Sequence, residues 1–100
     1  MRYTAVNDLD WESTDDAGVV KADIGPGVSF WRIDDGASFG EHGHEQPETF
    51  LVLSGALRFN DSRTAQAGTI IYTSPGERHA ATALGETVFV VVVHTDREAI

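Results

Sequence analysis

The sequence predicts an all-β domain, a sandwich or barrel of short antiparallel strands, and three observations support that expectation. Runs of β-branched and aromatic residues recur at spacings of about 8 to 12 residues. Clusters of Gly, Pro, Asn and Asp separate them. No stretch of helical length carries an apolar period of 3.6 residues, so no amphipathic helix is expected.

Residues 1–17 are polar and acid-rich (Asp8, Asp10, Glu12, Asp15, Asp16), with Leu9 and Trp11 the bulky anchors in the middle. They read as an N-terminal arm whose Trp11 packs on the body, and 18–100 as a single domain. The expected strands are 19–23, 27–33, 38–44, 48–54, 56–60, 69–73, 79–84 and 87–94. Gly25-Pro26-Gly27 turns the first into the second, and Asp34-Asp35-Gly36 turns the second into the third. Pro47 interrupts the chain before the fourth strand, because proline withholds a ladder donor and favours a turn or bulge. Ser54-Gly55, Asn60-Asp61, Ala67-Gly68, Pro75-Gly76 and Gly85 mark the remaining turns. Twelve residues separate Gly55 from Gly68, enough for one strand pair and a hairpin. Gly36, Gly55, Gly68 and Gly76 all fall at strand ends, where tight turns call for positive φ.

Composition narrows the function classes. The chain has 100 residues, 41% hydrophobic and 23% charged, which is the composition of one globular domain. Seven Lys and Arg against sixteen Asp and Glu give a net charge of −9. The basic residues stand singly at Arg2, Lys21, Arg32, Arg58, Arg63, Arg78 and Arg97, so no cluster exists to displace counterions from nucleic acid or to hold an anionic membrane. The longest apolar run, Val88 to Val93, is six residues, against about 20 for a membrane-spanning helix. There are no cysteines, which excludes disulfides, thiolate nucleophiles and Cys-type zinc sites. No apolar leader-like segment opens the sequence, and a cytoplasmic address is expected.

The chemistry sits on the histidines. In an extended strand, residues of equal parity share a face. His42, His44 and Glu48 share parity, so a strand that stayed regular through Pro47 would aim all three one way. Glu41 and Glu45 are rivals to Glu48 as the carboxylate ligand, but they have the opposite parity and are expected to face away. Glu45, as a loop residue, stays an alternative because it can swing in. His79 follows the Ser74-Pro75-Gly76 turn and opens a strand that must lie beside 42–48 if it is to converge with them. Three imidazoles and a carboxylate suit a divalent first-row transition metal (Mn, Fe, Co, Ni, Cu or Zn) and not Ca or Mg. On an octahedral ion they leave two positions for water, dioxygen or a chelating substrate. Glu48 is then a ligand and a candidate proton shuttle. His94 ends the last strand beside Thr95-Asp96-Arg97 and reads as a capped or solvated histidine. Arg58 and Arg78 are candidates for orienting an anionic substrate, with a surface ion pair the plainer reading. Trp31, Phe39 and Tyr72 are candidate cavity or core aromatics with no catalytic role.

The spacing of these residues resembles the cupin family. Gly36, His42, His44, Glu48 and Gly55 stand at G-x5-H-x-H-x3-E-x6-G, the first cupin motif. Gly68, Gly76 and His79 follow the second, with Ser74 where the motif has proline, Pro75 next to it, and Ala83 where the motif closes on Asn. The Asn that Ala83 replaces is not a ligand in the family, so its loss bears on polarity around the ligands and on substrate contacts, not on the ligands themselves. The resemblance implies a small single-domain cupin, an antiparallel double-stranded β-helix (the jelly-roll barrel), with a metal held inside by His42, His44, Glu48 and His79. A looser likeness, through Trp11, Gly18-Val19, Lys21 and the stretch from Glu48 to Gly55, is to the cupin module of certain anti-sigma factors.

Two functions follow from the resemblance. One is a metal-dependent enzyme of dioxygenase or related type acting on a small oxygenated molecule in the barrel. The other is a non-catalytic metal-binding, ligand-sensing or regulatory module. The resemblance also implies a homodimer, and the run Val88 to Val93 is more than one face of an edge strand would bury.

Overall fold

The computed structural model describes residues 1–42 and 45–94, with Glu41 and His42 as backbone alone. The described residues form ten strands and one short 3-10 turn, Val6–Asp8. In order the strands are β1 Glu12–Ser13, β2 Val19–Gly25, β3 Val28–Ile33, β4 Ser38–His42, β5 Glu48–Ser54, β6 Ala56–Phe59, β7 Thr64–Gln66, β8 Ile70–Thr73, β9 His79–Ala83 and β10 Thr87–Val93. One sheet has the order β1-β2-β3-β10-β5-β8 and the other β4-β9-β6-β7. Every pairing is antiparallel. From β3 to β6, and again from β8 to β10, each connection carries the chain from one sheet to the other. That alternation is the expected double-stranded β-helix. Among the described residues no helix is long and apolar enough to cross a membrane.

The two inner faces make one core of Val19, Ile33, Phe39, Phe50, Val52, Leu57, Ala65, Ala81, Ala83, Phe89 and Val91. Strand alternation delivers it: β10 buries Thr87, Phe89 and Val91, and β5 buries Glu48, Phe50 and Val52. The run Val88 to Val93 belongs to a strand with neighbours on both sides, β3 and β5, not to an edge strand. The four motif glycines, Gly36, Gly55, Gly68 and Gly76, all have positive φ.

Two strands lie outside the expected set. β1 is two residues paired to β2, and β7 is the polar return of the hairpin that the spacing from Gly55 to Gly68 allows. The first eleven residues run over the outward side of β2 and β3. Arg2 donates to the Ile24 carbonyl at 2.8 Å, and the Arg32 guanidinium lies 4.6 Å from the centre of the Trp11 ring.

Candidate functional site

Glu48 opens β5 and His79 opens β9, one from each sheet, and both point into the space between. Each is only 5% exposed, rare for a carboxylate in particular. Glu48 Oε1 and His79 Nε2 stand 3.7 Å apart. Aromatic rings wall them in. Phe50 meets the His79 ring edge-on at 5.1 Å, and Phe39 does so at 6.1 Å. Strand geometry fixes the pair from behind: Glu48 is paired with Thr73 on β8, whose hydroxyl donates to the Glu48 carbonyl at 3.3 Å. A carboxylate and an imidazole in so dry a setting interact far more strongly than in water.

Two spaces meet at this pair. A cavity of about 770 Å³, bordered by Lys21, Trp31, Phe50 and Phe89 among others, reaches Glu48. A smaller groove of about 380 Å³, with Asn60, Tyr72, Glu77 and Arg78 on its walls, reaches His79. At the groove's outer end Arg63 makes a hydrogen-bonded ion pair with Asp61 at 2.7 Å. The hydrogen bond from Arg63 holds the Asp61 carboxyl below its ordinary value of 3.8, and Asp61 in turn raises the guanidinium of Arg63.

Of the four expected ligands, the structure brings Glu48 and His79 together. His44 lies outside the described residues, as does the side chain of His42. The backbone of residue 42 is paired directly across from His79, after a bulge between Phe39 and His42. Among the described residues no group of three or more metal-ligating side chains gathers. The donor chemistry of the pair itself fits a borderline divalent ion: one buried carboxylate and one buried imidazole, within reach of a common point. His42 and Glu48 do not share one regular strand. β4 ends at His42 in one sheet and β5 begins at Glu48 in the other, so parity counted through Pro47 does not apply between them.

The remaining candidates separate cleanly. Glu45 is exposed. His94 is exposed, and its Nε2 is 2.8 Å from the Thr49 hydroxyl. Arg58 is exposed on the outward side of β6, while Arg78 is exposed at the groove beside His79. Trp31 and Phe39 border the larger cavity; Tyr72 is 59% exposed and does not. Sequence reasoning did not assign Lys21, Asp23 and Ser29, or Asp15 and Asp16, to the cavity wall. Alternation along β2 gave no signal for it, since Val19 and Ala22, of opposite parity, are both buried.

A closed two-sheet barrel with a buried carboxylate–imidazole pair facing a cavity defines a cupin. Residues 1–97 match the family described as the ChrR Cupin-like domain, and the chain belongs to that family. None of the curated proteins matches it. Among solved structures, an RmlC-like cupin from Shewanella frigidimarina is similar at a TM-score of 0.82 and 18% identity, over 99% of this chain and 95% of that one. The Rhodobacter sphaeroides complex of SigE with the anti-sigma ChrR is similar at 0.80 and 24%, over 90% of this chain and 52% of that one, about half its length. The polyketide cyclase RemF from Streptomyces resistomycificus is similar at 0.79 and 20%, over 93% and 78%. At these identities the likeness is one of fold.

Proposed function

We propose that the chain is a metal-binding cupin that takes a small oxygenated molecule into its barrel and acts on it as a metal-dependent enzyme of dioxygenase or related type. The observation that carries this reading is the buried Glu48–His79 pair, whose Glu48 borders a cavity large enough for a small molecule. His42, His44, Glu48 and His79 would hold the ion, with residue 42 placed across from His79 by strand register. A first-row divalent ion there would act as a Lewis acid toward an oxygen of the ligand. The protein's own contribution is to keep that space dry with Phe39, Phe50 and Phe89, and to hold the Glu48 carboxylate where it can take or return a ligand proton. We also propose that the chain pairs with a second copy of itself.

A second reading is a non-catalytic sensing module. It is favoured by the family match, because the ChrR in the similar complex is an anti-sigma protein bound to SigE.

Elemental analysis tests the shared part of both readings. The wild-type chain is expected to bind about one first-row ion, and Glu48→Ala and His79→Ala each to weaken that binding by about 10-fold or more. Full occupancy in both variants would refute the proposed site. Oxygen uptake by the Fe(II)-loaded protein with a panel of diketones, catechols and flavonols separates the two readings. Turnover supports the enzyme, whereas a ligand-induced rise in melting temperature without turnover supports the sensor.

A further inference from the structure

β2 is turned opposite to what its polarity suggests. Its apolar Val20, Ala22 and Ile24 point out of the barrel, while Lys21 and Asp23 share the inward face with Val19. Register carries that face across the sheet, since Lys21 pairs with Trp31 and Trp31 with Phe89, whose rings stack at 6.1 Å. Lys21 therefore stands on the wall of the cavity that reaches Glu48, and no other Lys or Arg borders it among the described residues. The Lys21 side chain is 37% exposed, so its stem lies along the wall while the ammonium reaches the water of the cavity.

Its partners leave hydrogen-bonding capacity unused. Among the described residues the Lys21 ammonium forms a long, exposed ion pair with the Asp23 carboxylate at 3.9 Å, too far for a hydrogen bond, and lies 5.9 Å from the centre of the Trp31 ring. Three N–H donors thus remain to be satisfied by solvent or by a ligand. Trp31 is fixed, its indole N–H donating to the Ser29 hydroxyl at 2.9 Å, so it presents a set aromatic plane beneath the ammonium. Asp15, Asp16, Asp23 and Glu48 all border the same cavity, so its field opposes anions in general and multiply charged ones such as a phosphate most strongly. Only a singly charged group in direct contact with the Lys21 ammonium offsets that field, and a planar or short apolar body fits the Trp31 wall.

We infer that Lys21 anchors the acid group of the barrel's ligand, so that the cavity selects small monocarboxylic acids. The inference rests on the reading that the barrel holds a small molecule, and adds the class of that molecule. Benzoate and benzamide, alike in shape and different in charge, are the probes. Binding is read from Trp31 fluorescence in a Trp11→Phe background, since the chain has two tryptophans. The titrations use both metal-loaded and chelator-stripped protein, with metal content measured separately. Benzoate is expected to bind about 10-fold more tightly than benzamide, or better, in both forms. Lys21→Met and Lys21→Gln are expected to abolish that preference without changing the circular dichroism, and Lys21→Arg to keep it. Equal binding of the two probes, no benzoate binding, or a preference that survives in Lys21→Met would each overturn the inference. A preference that survives there only with metal present assigns the acid to the ion, overturning the role of Lys21 and leaving the metal reading intact. A Lys21-dependent preference in a chain that binds no metal does the reverse.

Discussion

At the scale of single residues, Gly55 shows how tightly one turn is drawn. Its φ is +76°, and a Cβ there would run into the Glu86 carbonyl oxygen and the Thr87 hydroxyl. Gly36 has φ +79° but faces open space. The two separate backbone strain from steric clash. Gly36→Ala is expected to cost about 1 kcal/mol, the ordinary penalty of a left-handed alanine. Gly55→Ala is expected to cost about 2–4 kcal/mol, because the neighbouring backbone must also move. Urea denaturation of the two variants checks this, and equal losses would show that the close approach at Gly55 relaxes freely. Such glycines were legible in the sequence because a turn leaves a local signature. Lys21 was not, because a side chain's facing depends on what covers the other side of its strand. Apolarity alone would turn Val20, Ala22 and Ile24 inward, whereas the N-terminal segment meets that side: Arg2, Thr4, Val6 and Leu9 border one crevice with Ile24 and Phe30.

Between elements, Thr87 joins the two sheets. It begins β10 and is fully buried, yet its hydroxyl reaches β6: it accepts from the Ala56 N–H at 3.1 Å and lies 2.9 Å from the Ala56 carbonyl and 3.0 Å from that of Gly85. Thr87→Val preserves shape and removes that bond pair, stranding backbone groups where little water reaches. The expected loss is about 1–3 kcal/mol, with Thr87→Ser retaining more stability than Val despite its smaller volume. Chemical denaturation of both variants decides it, and a Val variant as stable as wild type would mean that the sheets are joined by apolar packing alone. Strand positions were largely readable because each strand here is short, β-branched and closed by a turn. The relation between strands was not. The bulge in β4 and the passage from β4 to β5 across the barrel break the parity that links His42 to Glu48 on paper. Motif spacing carried that relation where alternation could not.

At the scale of the molecule, charge and apolar surface are unevenly shared. The outward positions of the larger sheet line up across four strands: Phe30 beside Val90, Val90 beside Leu51, Leu51 beside Ile70. The next row runs Val28, Val92, Thr49, Tyr72. Neither row holds an acidic residue, in a chain whose net charge is −9. Ile70 is 68% exposed and Tyr72 59%, both on the edge strand β8, beyond the part of the face that the N-terminal segment meets. Two copies with this charge repel each other wherever their acidic surfaces meet, so a neutral apolar face is where they can associate. A standard interface needs about 800 Å² from each partner. The proposed homodimer therefore uses this face. Light scattering at micromolar concentration is expected to give twice the chain mass, little altered by salt because no ion pair holds the rows together. Ile70→Glu combined with Tyr72→Glu places a carboxylate in each row and is expected to give a folded monomer. A wild-type chain that stays monomeric at high micromolar concentration removes the dimer and leaves Val88, Val90 and Val92 as the outward side of a central strand. A double variant that still dimerises moves the contact to another face.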